Sequence, residues 1–169
     1  MSTPASSPAR RKLPIGIQSL AKLRDLGCYY VDKSGLVVDL IESGPCFFLS
    51  RPRRFGKSLL VDTMKELFEG NRALFAGLAA ETRWDWSRRH PVISISFSDG
   101  VLRDRAELDM RIQSNLRRSR EALGLPRPVT VATSDVADDL ADLIAQAHAS
   151  AGQPVVVLVD EYDKPDRKS

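Results

Sequence analysis

Two short runs far apart in the chain carry the residue types best suited to chemistry. The first, Arg51-Pro52-Arg53-Arg54-Phe55-Gly56-Lys57-Ser58-Leu59, contains the last three positions of the phosphate-cradling pattern GxxxxGK[ST]. Gly56 lets the backbone approach an anion closely, and Lys57 reaches terminal phosphates as a flexible point charge. The Ser58 hydroxyl suits Mg²⁺, while N–H groups opening a helix here add a partial positive field. Arg51 stands where the pattern has its first glycine. Pro52 pushes Arg51 into an extended conformation and fixes its own φ at about −65°. Arg53 and Arg54 add two guanidinium groups able to make bidentate contacts with phosphate. The bland alternative is a solvated basic turn, and Gly-Lys-Ser alone is short enough to arise by chance.

The second run is Val155-Val156-Val157-Leu158-Val159, which ends abruptly in Asp160-Glu161. At the carboxyl end of a parallel strand beside the loop, Asp160 would orient the Mg²⁺ shell and Glu161 would polarise a water attacking the γ-phosphate. The competing reading is a core strand ending in a surface acidic turn, since Asp163 and Asp166 follow. The two runs together favour the catalytic pairing, because they must lie on different strands in the right order. A kinase passing phosphate to a small molecule fits less well, since it needs no water-activating glutamate there.

Strands and helices must hold these runs in place. Ser19 caps a short helix with Leu20, Leu23 and Leu26, closed by Gly27. A second helix starts at Asp32 or Ser34, turns Leu36, Val37, Leu40 and Ile41 inward, and stops at Gly44-Pro45. Residues 46–50 form an apolar run bounded by proline on both sides, predicted as a buried strand. From Gly56 the period becomes helical, with Leu60, Met64, Leu67 and Phe68 on one face and Gly70 at the end. Residues 92–97 are a second strand, 103–123 an arginine-rich helix, 134–150 a helix with aspartates crowding its start, and 155–159 the third strand. This alternation predicts an α/β fold: a parallel sheet with helices on both faces behind a short helical preamble.

Composition agrees with one globular unit. The 169 residues are 43% apolar and 28% charged, which excludes disordered, collagenous and membrane classes. The net charge of +3 resides in Arg10, Arg11 and Lys12, within a basic leader expected to be disordered over residues 1–12. The rest is balanced, so a nucleic-acid partner gains no support from charge. No apolar run reaches the roughly 20 residues that span a bilayer, and the leader lacks the apolar stretch of a secretory signal, so a cytoplasmic location is expected. Cys28 and Cys46 fit neither a zinc site nor a disulfide framework and are expected as buried thiols; His90 and His148 give no metal site.

Several blocks carry a specific resemblance. KLPIGIQSLAKLRDLGCYYVDKSGLVVDLI, FFLSRPRRFGKSLLVDTMKELFEG, the WDW before PVISISFS, and VVVLVDEYDKP resemble successive blocks of the AAA-ATPase-like family of P-loop ATPases. In that family RPRRFGKS is the usual loop, so Arg51 there does not signal a dead site. The resemblance covers residues 13–165 and implies a P-loop domain binding ATP and Mg²⁺. Residues 51–59 would form the nucleotide loop, Ser58 and Asp160 the metal ligands, and Lys57 and Glu161 the catalytic pair. It also implies that residues 29–34 and the next helix lie near the adenine. Family members commonly carry a following nuclease-like domain, and their ATPase continues past DEYDKP. Here the polar segment 166–169 follows instead, so a truncated, partial P-loop sheet is expected. The alternative function is a non-catalytic module that binds nucleotide or a protein partner; homo-oligomerisation is compatible with either.

The remaining candidates are expected to be structural. Tyr29 and Tyr30 read as half-buried packing residues, Trp84 and Trp86 as covers for a core edge, and Arg111, Arg117, Arg118 and Arg120 as a solvated helix face.

Overall fold

The computed structural model describes residues 11–50, 52, 55–98, 104–126 and 135–162. The expectations placed on residues 1–10, on Arg51, Arg53 and Arg54, and on residues 166–169 lie outside them. In order come α1 (Leu20–Asp25), α2 (Ser34–Ser43), α3 (Lys57–Phe68), a 3-10 turn (Arg72–Phe75) and α4 (Ala80–Arg83). Then follow β1 (Val92–Ser96), α5 (Arg105–Ala122), α6 (Val136–Ala151) and β2 (Val156–Asp160).

The strands pair in parallel, Val92 opposite Val156 through Ser96 opposite Asp160. One sheet face packs on α3 through Phe68, Val92 and Leu158. The other packs on α5 and α6 through Ile93, Ile95, Leu116 and Leu143. An α/β arrangement with helices on both faces is therefore present, around a sheet of two strands among the described residues. The outer edge of β1 is closed by side chains. The Asn115 amide exchanges hydrogen bonds with the N–H and carbonyl of Ser96, and the Ser119 hydroxyl does the same with Ser94.

The expected strand at 46–50 does not form. Apolar character favours a strand, but strand backbone needs a neighbour for its N–H and carbonyl groups. Among the described residues no ladder reaches this segment, and Phe47 and Phe48 are exposed. Cys46 is exposed with it, correcting the expectation of two buried thiols; Cys28 is buried, and both are free. Lys12 is already tied down, its carbonyl accepting from the Tyr29 N–H at 2.9 Å.

The preamble packs as one unit with α3 and α4. Leu20, Val37, Val38, Leu67, Phe75 and Ala80 form its core. Val38 takes the inward place expected of Leu36, which is exposed. Asp32 organises the junction: one carboxylate oxygen accepts from the N–H and hydroxyl of Ser34, the other from the Ala79 N–H at 2.7 Å. Burial alone would raise its pKa, but these donors outweigh burial and hold it below the ordinary aspartate value. Trp84 and Trp86 pack on Phe68 and Phe75, as covers of the core.

Arg120 departs from the solvated face. It is buried, bonding the Pro126 carbonyl and the Gln146 amide oxygen, with Asp142 at 3.6 Å, and so joins α5 to α6. Arg117 and Arg118 are exposed.

Candidate functional site

Gly56 precedes α3 in a left-handed conformation, φ 73° and ψ 25°, and provides no side-chain cap. A Cβ built there would meet nothing within 4 Å, so the glycine leaves open space above the helix start. The first hydrogen bond of α3 runs from the Leu60 N–H to the Gly56 carbonyl at 3.0 Å. The N–H groups of Lys57, Ser58 and Leu59 therefore point out of the helix end, and no acidic residue occupies the first turn. Phe55 is exposed, while Lys57, Ser58 and Leu59 are half-buried. Pro52 is exposed; Arg51, Arg53 and Arg54 lie outside the described residues.

The contacts of Phe68 fix the direction of α3 relative to the strands. At the far end, the Phe68 carbonyl accepts from His90 N–H at 2.8 Å, and Phe68 packs against Val92, the first residue of β1. The C-terminus of α3 thus sits at the amino ends of the strands, and the helix runs back across β2 towards their carboxyl ends. Its 12 residues span about 18 Å. The five-residue strands span about 16 Å, a length comparable with that of the helix.

At that end, the Phe97 N–H donates to the Asp160 carbonyl at 3.2 Å, and an Asp160 carboxylate oxygen accepts from the Glu161 N–H at 2.9 Å. Glu161 has φ 54°, a left-handed backbone that costs a non-glycine residue about 1–3 kcal/mol. Such strain persists where surrounding structure enforces it, often at functional sites. The turn leads to Tyr162, whose hydroxyl donates to the Leu49 carbonyl at 3.0 Å while its ring lies 4.7 Å from that of Phe48. The chain entering the loop and the chain leaving β2 are therefore in contact.

Beside the start of α3 lies a cavity of about 440 Å³, lined by Phe55, Gly56 and Leu59 on one side and by Leu13, Tyr29 and Tyr30 among others on the preamble side. Burial pushes the Tyr30 hydroxyl pKa up, against a hydrogen bond with Thr63 that lowers it. Tyr29 is half exposed at the rim. Sequence reasoning missed Thr63, which lines the cavity, and Tyr162 as contributors. Tyr162 alone had a signal, its place directly after the acidic pair.

Both residues expected from the sequence as metal ligands carry oxygen, the donor that hard cations take. Ser58 and Asp160 offer oxygen, and among the described residues no cluster of three His, Cys, Asp or Glu could hold a metal alone. A cation here would need further oxygens from a ligand, the habit of Mg²⁺ with phosphates. No helix among the described residues is long and apolar enough to cross a membrane.

Comparison with known proteins shows the family of the chain. The chain is 54% identical over 158 residues to a protein of Azotobacter chroococcum mcd 1 described as an uncharacterized protein in the vnfD 5' region. That alignment covers 93% of this chain and 30% of the relative, so the chain spans less than a third of that protein's length. No solved structure matches. The family model described as Predicted AAA-ATPase matches residues 14–168, and the chain belongs to that AAA-ATPase-like family.

Proposed function

We propose that residues 13–165 form a P-loop unit that binds Mg²⁺-ATP, with the triphosphate over the start of α3 and the base in the adjoining cavity. The observation that carries this reading is the position of the cavity, which opens at Gly56 and Leu59 where the α3 N–H groups emerge. Its size and apolar lining suit a planar base, and Tyr29 at the rim offers a stacking surface.

The residues would divide the work as follows. The N–H groups of the first turn and Gly56 cradle phosphate oxygens, and the Lys57 ammonium neutralises charge on the terminal phosphates. Ser58 and Asp160 would hold Mg²⁺, which would neutralise charge on the β- and γ-phosphates. Glu161 orients a water towards the γ-phosphorus and accepts its proton. By residue type alone, Arg51, Arg53 and Arg54 would add guanidinium groups suited to phosphate oxygens. Supplied with nucleoside triphosphate, the protein would act in the cytoplasm.

Equilibrium binding of a fluorescent ATP analogue tests the reading, with phosphate release measured in parallel. Binding that is lost in Lys57→Ala, with phosphate release lost in Glu161→Gln, is expected. Binding without phosphate release even at high protein concentration would instead make the chain a nucleotide-binding module. No binding by the wild type would overturn both.

A further inference from the structure

We propose that Tyr162 is a positioning residue that fixes the gap between the two halves of this site; the proposal rests on the nucleotide reading above. The oxygen donors Ser58 and Asp160 belong to elements far apart in sequence, one opening α3 and the other ending β2. A cation shared between them requires that gap to be constant. The packing of α3 on β2 sets the orientation of the helix, but among the described residues no strand ladder holds segment 46–50, which feeds the loop.

Tyr162 supplies the missing tie. Among the described residues, its hydroxyl makes the one hydrogen bond that holds 46–50, at the Leu49 carbonyl, and its ring packs on Phe48 with the planes tilted by 49°. Leu49 lies two positions before Arg51, and Tyr162 directly follows Glu161. The left-handed turn at Glu161 brings the tyrosine back over the segment entering the loop. Leu49 also lines the cavity, so the same strut borders the base site. Phenylalanine at 162 would keep the ring contact and lose the tie, which separates positioning from packing.

The test uses the full chain as wild type, Tyr162→Phe and Tyr162→Ala, with affinity for a fluorescent ATP analogue measured in excess Mg²⁺ and in EDTA. The wild type should bind more tightly with Mg²⁺. Tyr162→Phe should keep its EDTA affinity within about twofold but lose roughly fivefold to tenfold of the Mg²⁺ gain, the range of one neutral hydrogen bond. Tyr162→Ala should lose at least as much. Hydrogen exchange without nucleotide should quicken across 46–50 in both variants. If the wild type gains affinity with Mg²⁺ and both variants keep that gain, the role of Tyr162 is overturned while the site reading stands. Equal losses with and without Mg²⁺ would reduce the tyrosine to packing, as would unchanged exchange across 46–50. A wild type that binds no nucleotide overturns the site reading and this proposal together.

Discussion

The Asp62 carboxylate accepts a hydrogen bond from the Leu20 N–H at 2.6 Å, so a residue of α3 caps α1 and fastens the preamble to the helix that opens at the loop. Burial raises the pKa of Asp62, more than the Leu20 N–H lowers it, and burial also raises that of Glu69. An acid whose folded pKa exceeds its unfolded value gains stability as pH falls through the folded value, until the unfolded value near about 3.9 is reached. Acidification from pH 7 to just above the ordinary carboxylate values should therefore stabilise the protein through these two groups. Asp62→Asn, which keeps an acceptor oxygen, should flatten this slope in urea titrations at both pH values. An unchanged slope would remove Asp62 from the account.

Asp32 acts in the opposite direction. Its lowered pKa contributes stability above the ordinary aspartate value, and that stability is lost as pH falls through the folded value. Asp32→Ala would leave the Ser34 and Ala79 donors unpaired at the junction of α2 and α4. The expected cost is about 2 kcal/mol, read as a lower urea midpoint at pH 7 with unchanged slope. A shift below about 0.5 kcal/mol would mean that water replaces the carboxylate at no penalty.

Ile93 and Phe47 test what apolar residues do in this chain. Ile93 is fully buried between the sheet and α5, whereas Phe47 is 43% exposed. Ile93→Ala should cost about 2–5 kcal/mol in chemical denaturation. Phe47→Ser should stay within about 0.5 kcal/mol. Comparable losses from both would restore 46–50 as a core strand.

Arg120 and Arg117 lie three residues apart on α5 yet should behave differently. Arg120→Ala removes the guanidinium that joins the Pro126 carbonyl, Gln146 and Asp142, at a cost of about 2–3 kcal/mol. Arg117→Ala, on the exposed face, should change the unfolding free energy by no more than about 0.5 kcal/mol.

Much of this architecture was legible because helices declare themselves locally. Ser19 as a cap, the 3.6-residue spacing in α3 and the Gly152 stop of α6 are written in neighbouring residues, and so are the valines of β2. Pairing is a different matter. The run Cys46-Phe47-Phe48-Leu49-Ser50 is as apolar as a core strand, but whether it joins a sheet depends on a neighbour the run does not encode. The same limit hid Arg120, whose burial depends on Gln146 and Asp142 across the helix interface. It also hid the cavity, whose walls come from Leu13, Tyr30 and Leu59, and the Tyr162 bond, which spans 113 positions. In the first run of chemically suited residues, the open backbone at Gly56 follows from glycine itself; the path of α3 across the sheet follows from the contact of Phe68 with Val92 and Leu158, which the run does not encode.

The side-chain caps on β1 give the sheet a polarity of growth. With Asn115 and Ser119 occupying the outward backbone groups of Ser96 and Ser94, an incoming strand would have to displace four hydrogen bonds to enlist there. The opposite border, along β2, has no such side-chain caps among the described residues, and Val157 and Val159 on that strand are partly accessible to solvent.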